Sequence, residues 1–454
     1  FNERENCKMN FYNMNKSLGL AQDIDIDKEA YYSTNIFILS DNSQILTQNF
    51  MLPNISRKLG SYIILDHNND MYNLTQNVFS SYGYSIEKLD LETSYNSFSS
   101  IENENDIINF SNSILKNSAY LRKLLNTKYK GNNDFYKKIE LILRLILIYM
   151  MDKAPYEKRN FNFLKKIVLK LHQNDLAYFK KIFSNISVSL ETNTSIYFLD
   201  YLTEDYYNEL ISALAKLVSD YPESNASQNT ALSKVEDFYN ENKLAVLFID
   251  TSDRSVENSM FCSKLEDYLK NANDSRTIPI FLTYVSLENV GYINNLSIIA
   301  RYFKNPNILH IVNFSSVAKI INLYKKSLQD IFNDIPYGII FSTANEKNIK
   351  YMPKLLMNPA ISEMMNQILV NNKYCIVYRK KTKTTLEPIM SETEQITNQD
   401  ISPQNSSQSF SNTQLDSVET EDELLALLKH DIDSEKDSLK KKHFTELYNF
   451  FSRA

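Results

Sequence analysis

Glycine is nearly missing from this chain of 454 residues, which holds six of them, about 1.3% against a usual ~7%. They stand at Gly19, Gly60, Gly83, Gly131, Gly291 and Gly338, and the closest two, Gly60 and Gly83, are 23 residues apart. Phosphate loops rich in glycine and Gly-x-Ser-x-Gly nucleophile elbows are therefore both excluded. Tryptophan is absent. The three cysteines, Cys7, Cys262 and Cys375, are few, widely spaced and odd in number, which excludes a disulfide scaffold and points to reduced thiols in a cytosolic compartment. No secretory signal is legible at the start, and the first residue is Phe1 rather than Met. The longest apolar run, Leu141 to Met151, is broken by Arg144 and falls short of the ~18 residues a membrane span needs. Neither sign of charge dominates: 49 basic against 55 acidic side chains leave a formal net of −6, which argues against a polyanion binder acting by bulk charge. His67, His172, His310, His430 and His443 show no i, i+4 pairing and no cysteine partner at zinc spacing, so no metal centre is expected.

What is present reads as an α/β protein of two or three domains. Short β-branched and aromatic runs bounded by polar residues predict buried strands at 35–39, 62–65, 244–249, 279–283, 308–313, 338–342 and 373–378. Helical periodicity lies between several of them, at 71–81, 256–270 and 317–332, and strand–helix–strand alternation implies a parallel sheet. From 106 to 239 the apolar residues recur mainly at helical spacing, which predicts an all-α insertion dividing the α/β domain into 1–105 and 240–384. Residues 385–419 are dominated by Ser, Thr, Gln and Asn and read as a disordered linker. The segment 420–454 then reads as an acidic helix, opened by a capping-box pair, Thr420 and Glu423. Residues 385–454 carry 14 acidic and 6 basic side chains, a net of −8, which leaves +2 for the rest. Its apolar positions Leu424, Leu427, Leu428 and Ile432 are candidates for docking a partner on a tether.

In nucleotide-binding α/β proteins the first strand of the sheet runs into a phosphate loop, so the stretch after Asn35-Ile-Phe-Ile-Leu39 is the place to look. It reads Ser40-Asp-Asn-Ser-Gln-Ile-Leu-Thr47, followed in register by Pro53-Asn54, Gly60-Ser61-Tyr62 and Asp66-His-Asn-Asn-Asp70. This frame resembles the TraG-like coupling proteins of bacterial conjugation, RecA-fold ATPases that join a relaxase complex to a type IV secretion channel. Members of that family read Asn-[VL]-x-[VI]-x-Gly-Gly-Ser-Gly-[SA]-Gly-Lys-Thr here, then Pro-Asn, Gly-Ser and an Asp-Pro-Lys-Gly turn. The resemblance implies a RecA-like, P-loop-type parallel sheet with an all-α insertion domain. It extends loosely from Leu18 to Arg379, with Leu356-Met-Asn-Pro359 and Asn371-Asn-Lys-Tyr374 near its end.

The frame is kept while its chemistry is not. A Walker A loop wraps phosphates with backbone amides at angles that Cβ forbids and neutralises them with lysine. Ser40, Ile45 and Leu46 stand where the resemblance places the first Gly, the last Gly and the Lys. Thr47, at the Mg²⁺-ligand position, survives, and Asp41 brings a carboxylate toward the phosphates. The second nucleotide motif behaves alike. Asn289-Val-Gly291 matches the family's Asn-[ILV]-Gly, which puts Val285 and Ser286 at the metal-binding and water-polarising acids, with Glu288 nearby as a solvated turn residue. Ser315 falls at the sensor Gln and Asp66 at the turn ending the second strand.

The expectation is a non-catalytic pseudo-ATPase without cofactor, acting in assembly or recruitment within a conjugation or type IV secretion system. Its partners would be secretion or relaxosome proteins, including an active coupling-protein paralogue, and it could form an oligomer. Its place would be the inner face of the cell membrane, reached through a partner or through residues N-terminal to those given. Two alternatives stay open: an ATPase with a non-standard nucleotide site, and a nucleic-acid-binding module of a mobile element. The second would use the helical insertion and the DNA-contact candidates Arg379, Lys380, Lys381 and Lys383. Asp250 to Asp253 reads as a strand-end turn that caps the helix beginning near Val256.

Overall fold

Apolar runs with β-branched residues on both faces can be satisfied only where helices cover both sides of a sheet. Ile36–Leu39 (β3), Ser61–Asp66 (β4), Ile280–Tyr284 (β7), Ile308–Phe314 (β8) and Tyr337–Ile340 (β9) are buried along their whole length, and Ala245–Asp250 (β6) is buried up to its last residue. The computed structural model describes residues 18–21, 24–26, 35–129, 133–183, 201–219, 221, 230–251, 255–272, 276–294, 296, 305, 307–324, 328, 337–356, 358, 360–370, 374–380 and 386–392.

These strands join Ser85–Asp90 (β5), Tyr374–Lys380 (β10) and Leu386–Glu392 (β11) in a nine-stranded sheet of order β11-β10-β9-β3-β8-β7-β4-β6-β5. Every pair from β9 to β5 is parallel, while β10 runs antiparallel to both β9 and β11. A separate hairpin pairs Leu18–Ala21 (β1) with Ile24–Ile26 (β2). The fold is thus α/β with a mostly parallel sheet. Two glycines are sterically required in it. A Cβ on Gly60 would lie 2.4 Å from Pro279 O, and one on Gly338 would lie 2.0 Å from Cζ of Tyr378, its cross-strand partner.

The chain divides into two compact units. The first takes in Phe1–Tyr95 and Gln228–Pro403 and contains the sheet; the second takes in Asn96–Ser227 and Gln404–Ala454. The second unit is all helical among the described residues, with helices Glu104–Asn117, Ala119–Thr127, Asn133–Lys153, Phe161–His172, Leu176–Phe183 and Glu204–Ser219. Asn103, Ser118 and Asn160 accept hydrogen bonds from the first-turn amides of Asp106, Leu121 and Phe163, which fixes three of the starts. Phe98, Phe110 and Phe161 meet edge to face or tilted at 4.7–5.8 Å in its core.

Two boundaries differ from the expectation of an insertion at 106–239. Helix Ala231–Asn240 belongs to the sheet unit, because buried Arg276 donates to the carbonyls of Phe238 and Tyr239 and also to Ser61 Oγ. Periodicity identified a helix there but not the layer it packs on. A second correction falls inside the expected linker 385–419: residues 386–392 are a strand, held by a full antiparallel register from Tyr374↔Glu392 to Lys380↔Leu386. Backbone pairing at a sheet edge needs few apolar side chains, so composition did not reveal it. The rest of that linker and the segment 420–454 lie outside the described residues. No helix among the described residues is long and apolar enough to cross a membrane.

Candidate functional site

Parallel strands deliver their carboxyl ends, and the turns that follow them, to one edge, where open α/β sheets bind ligands. At β3 the turn is short. Ser40 is 3% exposed; its N–H donates to Phe314 O (3.1 Å) and its hydroxyl to Asn42 O (3.0 Å). Asn42 is the N-cap of the helical run that starts at Ser43, and its Oδ1 accepts from the amides of Gln44 (2.8 Å) and Ile45 (3.2 Å). Those donors are among the orphan amides that make a helix start attractive to anions. Here the chain's own side chain takes them.

The helical run passes through a π turn, Thr47–Met51, before Leu52–Arg57. Leu52 N donates five residues back to Thr47 O just ahead of Pro53, which has no amide to contribute. Leu46, at the position of the lysine, lies in the core with Phe50, Met51 and Ile55, and Ile45 packs against the same cluster. The Thr47 hydroxyl donates to Ser43 O (2.7 Å), lies 3.4 Å from Met71 Sδ, and is buried. Asp41 is exposed, and its carboxylate accepts from the Thr343 hydroxyl beyond β9.

Beyond β7, Val285 is buried and its N–H donates to Leu65 O (3.1 Å), while Ser286 takes a left-handed backbone (φ 52°) and donates its N–H to Asn313 Oδ1 (3.1 Å). Asn313, on β8, also donates to Ile38 O and Ser40 O, and so sits behind the β3 turn. Glu288 is not the solvated turn residue expected from sequence. It is 8% exposed, and its carboxylate accepts from the amide (3.0 Å) and hydroxyl of Ser315. Burial pushes its carboxyl above the usual range, against the hydrogen bonds from Ser315 that pull it down.

Asn348 closes the gap between these groups. Fully buried, it donates to Ser315 O (2.8 Å) and to the Thr343 hydroxyl (3.1 Å), and accepts from Val317 N (2.9 Å). A continuous hydrogen-bonded chain therefore runs Asp41, Thr343, Asn348, Ser315, Glu288, across the ends of β3, β9, β8 and β7. Sequence reading nominated Asp41 and Ser315 but missed Thr343 and Asn348, which carry no motif. A polar pair five apart just after an apolar strand was the only signal available.

Further along the edge, Asp66 is wholly buried and accepts from the amides of Met71 (3.0 Å) and Tyr72 (2.7 Å), which start helix Asp70–Ser81. Burial raises its carboxyl to about 6 even against those two amides, with the nearby carboxylates Asp70 and Asp250 adding to the rise. Asn68 and Asn69 take left-handed backbone (φ 60° and 59°), a conformation that Asn adopts more readily than most residues in place of glycine. Asn69 Nδ2 donates to Asp250 Oδ2 (2.6 Å), and His67 Nδ1 donates to Thr251 O (2.9 Å).

Arg379 and Lys380 lie on β10. Lys381, Lys383, Leu424, Leu427, Leu428 and Ile432 lie outside the described residues. Ser252 and Asp253, read as helix caps, also lie outside them. Among the described residues no group of three His, Cys, Asp or Glu side chains is placed to hold a metal ion. His310, for which the sequence offered no partner at zinc spacing, forms a buried pair with Glu266 (2.9 Å), and the Tyr284 hydroxyl donates to the same carboxylate.

Solved structures share this arrangement of strands and helices. The plasmid coupling protein TrwB bound to the ATP analogue ADPNP aligns with a TM-score of 0.55 over 85% of this chain and 91% of its own, at 11% identity. The fold is that of TrwB. Its complex with ADP and Mg²⁺ aligns at 0.54 with 10% identity, over 85% of this chain and 91% of its own. The trigonal form of the conjugative coupling protein TrwBdeltaN70 with sulphate aligns at 0.51 with 11% identity, over 83% and 82%. No protein-family model matches the chain, and no curated protein does.

Proposed function

We propose that this chain is a coupling-protein-like subunit of a conjugation or type IV secretion apparatus that acts in assembly or substrate recruitment without hydrolysing nucleotide. The observation that carries the reading is the capping of the helix start after β3 by Asn42, beside a carboxylate at Asp41. A triphosphate approaching that turn meets a negative group, finds two amides already engaged, and has no lysine, because Leu46 is packed into the core. The magnesium side is no better supplied. Val285 and Ser286 offer no carboxylate, and Glu288 is held by Ser315. Each missing charge in phosphoryl transfer costs orders of magnitude in rate, so their joint loss removes the reaction rather than slowing it.

The TrwB-like fold supports secretion and relaxosome proteins as the partners, including an active coupling-protein paralogue. The acidic segment 420–454 would do the recruiting through Leu424, Leu427, Leu428 and Ile432, its tether raising the effective concentration of whatever it holds. Attachment to the inner membrane face would come through such partners. Affinity capture of the tagged chain from its own cells tests this. Secretion or relaxase-complex proteins should be retained equally with and without ATP depletion. Capture that excludes them, or that collapses when ATP is removed, overturns the reading.

A further inference from the structure

Helix Glu346–Leu355 turns Asn348 and Met352 inward, and Asn348 is the residue that joins Thr343 to Ser315 at the strand ends. Its outer side serves nothing in that site. There Ile349 and Pro353 lie one turn apart in an open groove of about 590 Å³, lined also by Ser362 of the neighbouring helix Ala360–Val370, against which this helix packs. Both helices belong to the sheet unit. Lys347, Lys350 and Lys354 are exposed and follow at i, i+3 and i+7, so they form a stripe along one flank of the helix. None of the three has a carboxylate partner among the described residues. Lys350 and Lys354 line the groove, and their Nζ atoms stand 5.8 and 6.0 Å from the same ring, that of Tyr351. Two like charges gathered at one ring repel each other, and an anion shared between them lowers that energy.

We propose that this groove is the docking site for an amphipathic helix of a separate protein, one that carries two carboxylates a turn apart beside two apolar side chains at the same spacing. Charge complementarity selects it: the cations Lys350 and Lys354 run along one side of the apolar pair Ile349 and Pro353, so the matching surface is an apolar stripe with acids on one flank. Shape selects it as well. A groove beside two packed helices receives a rod, whereas a lipid surface is flat. Charge also changes sign along the groove, because Glu346, its carboxylate, sits at the start of the helix and Lys354 near the end. A bound helix therefore keeps its acids at the Lys350 and Lys354 end and none beside Glu346, which fixes its direction. Such a surface gives the body of the chain a recruiting contact that works whether or not nucleotide is bound.

The probe is a synthetic, fluorescein-labelled peptide stapled as a helix, with one pair of leucines and an adjoining pair of glutamates, each pair one turn apart. Its anisotropy with the full chain should rise to saturation, and the affinity should fall as salt is added. The K350E/K354E variant, which alters only exposed side chains, should lose at least about tenfold in affinity at an unchanged unfolding temperature. The same peptide with lysines for glutamates should bind that variant more tightly than it binds the parent. Ile349→Gln should weaken the acidic peptide while leaving its salt dependence as it was. No saturable binding to the parent, or binding that K350E/K354E leaves intact, overturns the proposal. So does capture of the parent by vesicles of phosphatidylcholine and phosphatidylglycerol in equal parts that K350E/K354E abolishes, because the cations would then serve a lipid surface. A dimer of the full chain that K350E/K354E converts to monomer overturns it too, because the groove would then hold a second copy.

Discussion

The side chain of Asn42 holds the amides of Gln44 and Ile45, at 2.8 and 3.2 Å, in the turn where the resemblance places a phosphate loop. An N-cap of this kind contributes about 1 kcal/mol to the stability of its helix. Asn42→Ala should therefore lower the unfolding free energy by that amount, seen as a lower denaturant midpoint with an unchanged slope. It should not create nucleotide binding, since Asp41 and Leu46 remain. An unchanged midpoint would show that the cap is not holding the turn.

Glu288 and Ser315 make the second prediction. Truncating Glu288→Ala leaves the half-buried amide and hydroxyl of Ser315 without their acceptor, at a cost of about 1–3 kcal/mol. Glu288→Gln keeps one acceptor oxygen and should cost clearly less. Equal losses for both variants, measured by chemical unfolding, would mean that packing rather than the hydrogen bonds keeps this side chain in place.

Asp66 makes stability depend on pH in a direction opposite to that of a salt-bridged carboxylate. Its folded value is raised to about 6, so the folded state holds the proton more tightly than the unfolded chain, whose value is ~3.9. Stability from this group is fully present below ~pH 4 and is lost as pH rises through 6, an effect of about 3 kcal/mol. Carbon-detected NMR of the carboxyl should show a midpoint near 6. Asp66→Asn, which cannot ionise, should flatten the unfolding free energy between pH 4 and 6.5 relative to the parent. The same slope in both proteins would refute the assignment.

Gly338 and Tyr378 face each other across β9 and β10, and the tyrosine ring covers the glycine. A methyl group there has no room, so Gly338→Ala should cost about 1–3 kcal/mol by overpacking. Tyr378→Leu in the same chain should recover part of that loss, giving a favourable coupling in a double-mutant cycle. Strict additivity would show that the ring can move aside.

The fold was largely legible because its central strands are buried on both faces and read as continuous apolar runs: Ile36–Leu39, Ser61–Asp66 and Ile308–Phe314 could scarcely be anything else. β5, Ser85–Asp90, escaped notice because it is the outermost strand, where Glu87, Lys88 and Asp90 replace apolar residues. β11 escaped for the same reason. At the site, the residues aligned with lost motifs could be named because a resemblance supplied their register. The groups now occupying that space could not, since Asn348, Thr343 and Glu288 act through a tertiary hydrogen-bond chain and no local pattern distinguishes a buried acceptor from a solvated one. Helix Ala231–Asn240 shows the same limit one level up: its period was readable, but the layer it joins is set by Arg276, nearly forty residues away.

Titrating ATP with Mg²⁺ onto the full chain, followed by calorimetry and by the unfolding temperature, reads the occupied turn most directly. A site with a dissociation constant of ~10 µM would add about 2.7 kcal/mol of stability at ~1 mM ATP. The arrangement around Asn42, Asp41 and Leu46 predicts no saturable heat and no shift of the transition. A saturable, magnesium-dependent rise that disappears on substituting Thr47 would contradict it.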